Sequence, residues 1–418
     1  MTQIRTPVDE EEAYDPFEAY DRATGAGVVR DPYPEWAEMR EKAPIASGDP
    51  REIFGLDPSI EIPDGVPQTF IALSAEAVNR ILHDPITFSN QGYALSMGVV
   101  MGHTILEMDG AEHRAYRGLV IQAFTRKAME RWERELIEPI VHRHIDAFVD
   151  RGHADLVADL TFTFPVHVIA GMLGLPDEDL AVFHRKAVEL ISVQVDWERA
   201  IAASTWLGEY FAGFLAECRA NPRGDLLSML AQAELDGQRL TDEEIFSFLR
   251  LLLPAGAETS YRAASILLFG LLTNPDQLAA VVADRSLLPQ AVEESLRWDP
   301  AFTGVLRVAV EDTEVCGVEI PGGSVIRVCT GAANRDAAVV ADPDRFDIFR
   351  QPKPHLAFGA GPHMCLGMQL ARWEVSVCAN AVFERLPNVR LDPAAEDLHI
   401  AGSTFRAPRV LPVLFDKR

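Results

Sequence analysis

Basic residues are scarce in this chain: 38 lysines and arginines stand against 63 aspartates and glutamates in 418 residues, a formal charge of −25. Without a dense basic run it is a poor ligand for phosphate backbones or anionic membrane surfaces, so no nucleic-acid partner is expected. Long apolar runs are missing too. The most apolar stretches, 251–257 and 263–272, are far shorter than the roughly 20 residues that cross a bilayer, and no membrane span is expected. Cysteine is rare, and the five present (Cys218, Cys316, Cys329, Cys365 and Cys378) are scattered, odd in number and without a metal-finger spacing. That pattern fits reduced thiols in a cytoplasm and excludes a disulfide framework. Residues 1–12 lack the apolar core of a secretory signal. Residues 1–30 read as an acidic amino-terminal arm.

What is present is the composition of a globular protein, with 48% hydrophobic residues. Length alone suggests two or three domains. Because no long Gly/Ser or Pro-rich linker, internal repeat or low-complexity tract divides the chain, residues 31–418 are expected to form one domain. The clearest irregular segment is 50–68, punctuated by Pro50, Gly55, Pro58, Pro63, Gly65 and Pro67. Helical periodicity dominates elsewhere. Met129, Trp132, Leu136, Ile140, Ile145 and Phe148 mark an amphipathic helix from Thr125 to about Gly152, and similar patterns cover 177–193, 200–220, 241–272, 276–298 and 366–386. Strand signals are short, the clearest being 314–320 and 324–330, which read as a hairpin around Pro321-Gly322-Gly323. The expected fold is mainly α with small β-sheets.

One thiol has an unusual setting. In Phe358-Gly-Ala-Gly361-Pro-His363-Met-Cys365-Leu-Gly367 it sits in a glycine-rich loop just ahead of a helical pattern. Backbone N–H groups near a helix start lower a thiol's pKa and make it a good ligand or nucleophile. The glycines let the backbone approach a large flat partner, and His363 is placed to donate to an anionic group on it.

The pattern Phe358-x-x-Gly361-x-His363-x-Cys365-x-Gly367 resembles the haem-ligand signature of the cytochrome P450 family. The resemblance extends over nearly the whole chain. Glu294-Ser-Leu-Arg297 is similar to the family's Glu-x-x-Arg element, and Pro343-Asp-Arg345-Phe to the segment that supplies a second arginine. Ala255-Gly-Ala-Glu258-Thr259 resembles the oxygen-activation motif, with Pro254 where an aliphatic residue is usual. Helical geometry puts Leu251, Ala255, Glu258 and Thr259 on one face, so that a carboxylate and a hydroxyl can flank one cavity. Proline at 254 is expected to bend the axis there. His113-x-x-x-Arg117 matches the propionate-binding pair, and Arg307 falls where the family places a further propionate arginine.

The resemblance implies a single P450-type domain binding haem b between the long central helix and the cysteine loop, with Cys365 as iron ligand. Phe358, His363, His113, Arg117 and Arg307 are the implied cofactor contacts. It implies monooxygenation by O2, Thr259 hydrogen-bonding during oxygen activation and Glu258 relaying protons. No dinucleotide fingerprint or extra reductase length is present, so electrons are expected from a separate iron–sulfur ferredoxin and its reductase. Arg114, Arg126, Lys127 and Arg372 are candidates for its docking patch on a monomer. No charged residue lies between Asp84 and Glu107, and the Met- and Gly-rich span 92–102 suits a lid over a lipophile. Leu251, Pro254, Ala255, Phe302, Thr303, Val305, Thr404 and Phe405 are expected to line the pocket. A terpenoid, alkyl-aromatic or steroid is favoured; a fatty acid is the alternative if His103 anchors a carboxylate. A peroxide-dependent peroxygenase on the same fold and a haem-binding sensor or carrier are the competing readings.

Overall fold

Thr241 and Glu244 form a reciprocal cap: Thr241 Oγ1 accepts from the Glu244 N–H at 3.2 Å, and Glu244 Oε2 accepts from the Thr241 N–H at 2.7 Å. From it runs the longest helix of the computed structural model. The structure describes residues 15–417, apart from 24, 26–27, 57–65, 96 and 193–195. Most of the acidic arm before residue 15, the centre of the irregular segment 50–68 and Ser96 of the lid therefore lie outside the described residues.

The helices that shape the site are α1 (Pro16–Ala23), α2 (Gly110–Val120), α3 (Phe164–Leu173), α4 (Leu180–Ile191), α5 (Trp197–Ala220), α6 (Asp242–Thr273), α7 (Leu288–Trp298) and α8 (Met368–Arg385). Helix α6 is the axle, with α3, α5, α7 and α8 packed around it. One sheet stands beside this helical core. Its strands are β1 (Ile45–Ser47), β2 (Thr69–Ala72), β3 (Phe88–Ser89), β4 (Val305–Ala309) and β5 (Val325–Val328), in the order β1-β2-β5-β4-β3. Only β2 and β5 pair in parallel. The expectation of a mainly helical single domain with small sheets is met.

Details differ, each for a local reason. The hairpin expected across Pro321-Gly322-Gly323 is replaced by a tighter one inside the first strand segment: Thr313–Val315 pairs with Val318–Ile320 through Cys316 and Gly317, at φ 52° and 80°. Two successive left-handed residues match the twist of the flanking strands, and hydrophobic alternation continues through such a reversal without marking it. Segment 325–328 instead joins β4 and β2. The 125–152 helix is built in pieces, Arg126–Trp132, a π-helical turn Glu133–Ile137 and Glu138–Asp146. Pro139 has no N–H for the Glu135 carbonyl, which breaks the α ladder there. The 276–298 pattern divides into Pro275–Ala283 and α7, because Asp284 accepts from the Ser286 N–H at 3.0 Å and Pro289 opens the next helix.

Part of the segment read as an arm is α1. Its Phe17 ring packs edge-on against Phe162 and His184 at 5.0 and 4.7 Å, and Tyr20, 7% exposed, lies 5.7 Å from Phe405. No single helix among the described residues is long and apolar enough to cross a membrane.

Candidate active site

The cysteine loop closes on itself, the Cys365 N–H donating to the Phe358 carbonyl at 2.9 Å. Gly361 makes this possible. At φ 69° it faces the Leu82 carbonyl oxygen, where any Cβ would collide with backbone. The Cys365 side chain is exposed, yet its surroundings desolvate it enough to push the thiol pKa up. Both hold if it forms the wall of a cleft inside the fold. Opposing the desolvation, the Gly367 N–H bonds the sulfur, and the charges of Arg117 and Arg372 favour the thiolate.

Arg372 is braced for this task and is not a free surface cation. Its Nε and Nη2 donate to the two Glu293 carboxylate oxygens at 2.6 and 2.9 Å, and its guanidinium lies 4.6 Å above the Phe358 ring. His355 reaches the same carboxylate at 3.2 Å. Of the four cations proposed for partner docking, Arg114 and Lys127 are exposed, and Arg126 is exposed but paired with Glu130 at 2.7 Å.

The residues matched to the carboxylate-binding pattern do converge. His113 and His363 stack at 3.9 Å, His363 lies 3.5 Å from Asp109, and Arg117 Nη2 donates to the Met364 carbonyl at 2.7 Å. Buried Arg307 belongs to the same group, since its charge acts on His363 and Asp109 acts on it. Desolvation, then the neighbouring cations, hold His363 down at about 3, so it is neutral near pH 7. His113 Nε2 is buried with no hydrogen-bond partner. Buried polar atoms are almost always satisfied, so this orphan marks a place for an outside acceptor. Tyr93, whose hydroxyl accepts from the Leu306 N–H at 2.9 Å, ties the lid to this strand; nothing in its sequence neighbourhood singles it out.

Helix α6 is buried along most of its length, but Leu251, Ala255 and Thr259 are partly or fully exposed. Their i, i+4, i+8 spacing makes one stripe facing open space. Glu258 is off it. It is 3% exposed and accepts from Arg262 Nη2 at 3.2 Å, turned into packed side chains instead of sharing the cleft face with Thr259. Thr259 Oγ1 donates to the Ala255 carbonyl at 2.8 Å. Gly256 also points elsewhere: a Cβ there would lie 2.7 Å from Ile169 Cδ1, so its smallness allows α3 to approach. On that far side Leu253 and Ala257 lie beside Ile169 and Phe183 in apolar packing. Pro254 is buried within an unbroken helix and does not face the cleft. Thr303 is fully buried, donating to the Ser403 carbonyl at 2.6 Å; it anchors the 403–405 turn and is not a wall. Thr404 is likewise buried, its Oγ1 accepting from Arg327 at 2.9 Å. Phe302 and Phe405, bridged through their backbones with rings 4.7 Å apart, and Val305 keep partial exposure.

A second buried acid was not singled out in the sequence. Glu374 of α8 accepts a short hydrogen bond from Ser260, the residue after Thr259, and its burial raises its pKa to about 8. The Glu-x-x-Arg pair forms, Arg297 donating to both Glu294 oxygens at 2.8 Å. The second arginine, however, is Arg350, with Nε at 3.3 Å from Glu294; Arg345 is exposed and offers only its carbonyl, to Arg297 and Arg350. Both ring nitrogens of His103 are taken by carboxylates, Glu107 at 2.5 Å and Glu112 at 2.7 Å. It has no nitrogen left for a substrate.

Thiol, cationic cluster and open helix stripe together fit a flat, dianionic group carrying a thiolate-seeking metal, and so define a haem-thiolate protein. The sequence comparisons agree. The family model for cytochrome P450 matches residues 193–394. The chain is 38% identical to cytochrome P450 107B1 of Saccharopolyspora erythraea over 75% of its length and 77% of that protein's. It is 33% identical to the cytochrome P450 monooxygenase PikC of Streptomyces venezuelae over 94% and 92%. Among solved structures it is similar to CYP109E1 from Bacillus megaterium in complex with testosterone, with TM-score 0.81, 30% identity and coverage of 92% and 99%. This chain belongs to the cytochrome P450 family, as a monooxygenase with cysteine-ligated haem iron.

Proposed function

We propose that the chain inserts one atom of O2 into a C–H bond of a small uncharged lipophile, as a cytoplasmic monomer fed with electrons by a separate iron–sulfur ferredoxin and its reductase. The observation that carries the substrate class is the lining: Leu251, Ala255, Phe302, Val305 and Phe405 offer apolar surface, and the nearby histidine that could have held a carboxylate is occupied by Glu107 and Glu112. The related CYP109E1 was crystallised with testosterone, which supports a steroid-sized ligand.

When bound, haem supplies the oxygen activation, with its thiolate ligand favouring O–O cleavage. The protein's residues then have separate tasks. Cys365 would hold the iron, its anionic form supported by the Gly367 N–H, Arg117 and Arg372. His113, Arg117, Arg307 and His363 would bind the two carboxylates, with Phe358 packed beside the loop. Thr259 would turn its hydroxyl from the Ala255 carbonyl into the cleft, and Glu258 would bring protons to it. The apolar lining excludes bulk water, which limits loss of reducing equivalents.

The test is an absorption spectrum of reduced protein under carbon monoxide, with Cys365→Ser alongside, followed by turnover with ferredoxin and reductase. A strongly red-shifted Soret band lost in the variant, with substrate-dependent consumption of reducing equivalents, is expected. A band typical of histidine ligation, or no substrate dependence, would leave a carrier or sensor; product from peroxide alone at equal rate would make the chain a peroxygenase.

A further inference from the structure

As a proton carrier Glu258 faces an electrostatic obstacle, because its partner is a guanidinium in the interior. Arg262 is 3% exposed, packs 4.7 Å from the Tyr261 ring and 5.6 Å from the Phe405 ring, and its Nε is buried without a partner. Burial works against its charge, but the carboxylates of Asp21 and Glu258 hold it protonated, so it cannot itself pass a proton on. If Glu258 becomes neutral or turns toward Thr259, Arg262 loses that ion pair. A buried charge stripped of its partner is strongly unfavourable, and such a pair would trap the acid.

A second carboxylate stands at the same guanidinium. Asp21 of α1 accepts from the same Nη2 at 2.8 Å, closer than Glu258 at 3.2 Å, and its side chain is 28% exposed where that of Glu258 is 3%. We propose that Asp21 is a positioning residue for Glu258, the carboxylate that keeps Arg262 paired while Glu258 takes up a proton and turns toward Thr259. Helix α1 is thereby a working part of the site, fixed in place by Phe17 against Phe162 and His184 and by Tyr20 against Phe405.

Tyr261 and Arg262 face Glu258 from its own helix, and Asp21 acts on it from α1, whose Tyr20 neighbours Tyr261. The turn at 403–406 contributes Phe405, while its Arg406 is committed to Asp299 at 2.6 and 3.0 Å. Glu374 approaches α6 at Ser260. Burial, with the negative charge of Asp21, raises the Glu258 pKa against the pull of Arg262.

The proposal rests on Glu258 as the relay acid, and three variants of the haem-loaded full chain separate the two ideas. Glu258→Gln should cut coupled product formation by roughly a hundredfold, the lower end for a positioned acid, and Asp21→Asn by about tenfold with peroxide released instead. Substrate affinity should be unchanged in Asp21→Asn, and Asp21→Glu should restore coupling. In Asp21→Asn with Arg262→Gln nothing traps Glu258, so coupling should recover above that of Asp21→Asn alone. Independently of turnover, the infrared band of the protonated Glu258 carboxyl, identified by its loss in Glu258→Gln, should titrate at lower pH in Asp21→Asn. Wild-type coupling and an unmoved titration in Asp21→Asn overturn the proposal, as does a double variant poorer than the single, which would make Asp21 merely structural. Unchanged coupling in Glu258→Gln overturns the relay reading itself.

Discussion

Arg372 shows how one contact reassigns a residue. From the sequence it belongs to a basic docking patch; in the fold it is spent on Glu293 and Phe358 beneath the cysteine loop. Burial alone would raise the Glu293 pKa, but hydrogen bonds from His355 and Arg372 bring it down from 4.5 to about 2. A depressed acid contributes stability that is full above its unfolded value and is lost as pH falls through the folded one, here between about 4.5 and 2. Arg372→Ala should therefore lower stability at pH 7 by about 1–2 kcal/mol, discounted for the half-exposed carboxylate, and flatten its loss in acid. Denaturant unfolding across pH measures both; a wild-type acid slope in the variant would refute the assignment. The same lesson holds at Glu294, where sequence order indicated Arg345 and the fold uses Arg350. Spacing identifies that an arginine follows, but which of two neighbours turns inward depends on loop packing.

At the scale of elements, Gln91–Leu95 and Met97–Met101, expected from the sequence to cover the substrate, are followed by a clamp that ties this segment's far end to α2. His103 bridges buried Glu107 and exposed Glu112, and Gly98 lets the Glu107 carboxylate pack against the lid helix. The hydrogen bond that His103 donates to Glu112, against desolvation and with help from Glu107, raises the His103 pKa above 6.5. A raised histidine gives stability that is full below its unfolded pKa and disappears as pH rises through the folded one. The segment should loosen as pH rises past the raised His103 pKa, seen as faster limited proteolysis within 91–107 and faster substrate release. His103→Gln should show the loosened behaviour at every pH; protection in that variant equal to wild type at pH 6 would dismiss the clamp. Helix α6 was legible in the sequence to within a residue or so of its ends, but its capping box was not singled out there and which face met the cleft was not legible. Glu258 and Thr259 are adjacent, about 100° apart around the axis, and only the neighbours of α6 decide which of them is covered.

For the whole molecule the charge of −25 bears on its electron donor. The ferredoxin proposed above, where acidic, would be repelled by the chain at long range, so its productive docking would need local cations near the cysteine face. With Arg372 engaged and Arg126 paired, Arg114 and exposed Lys127 remain for it. Reversing both to glutamate should raise the KM for ferredoxin several-fold and weaken the dependence of association on ionic strength, measured by stopped-flow reduction. Unaltered salt dependence would place the docking site elsewhere.

The sequence by itself determined the family, the glycine-rich cysteine loop, the helical class and the positions of the long helices, because these are written in short-range spacing: a glycine that must take positive φ, a hydrophobic stripe. The tertiary structure alone decided which arginine completes the Glu294 cluster, that Thr303 and Pro254 are buried, that His103 is spoken for, and that Asp21 meets Arg262 across 241 residues of chain. Such contacts depend on where separate elements come to rest, and the spacing of residues along one element carries no record of that.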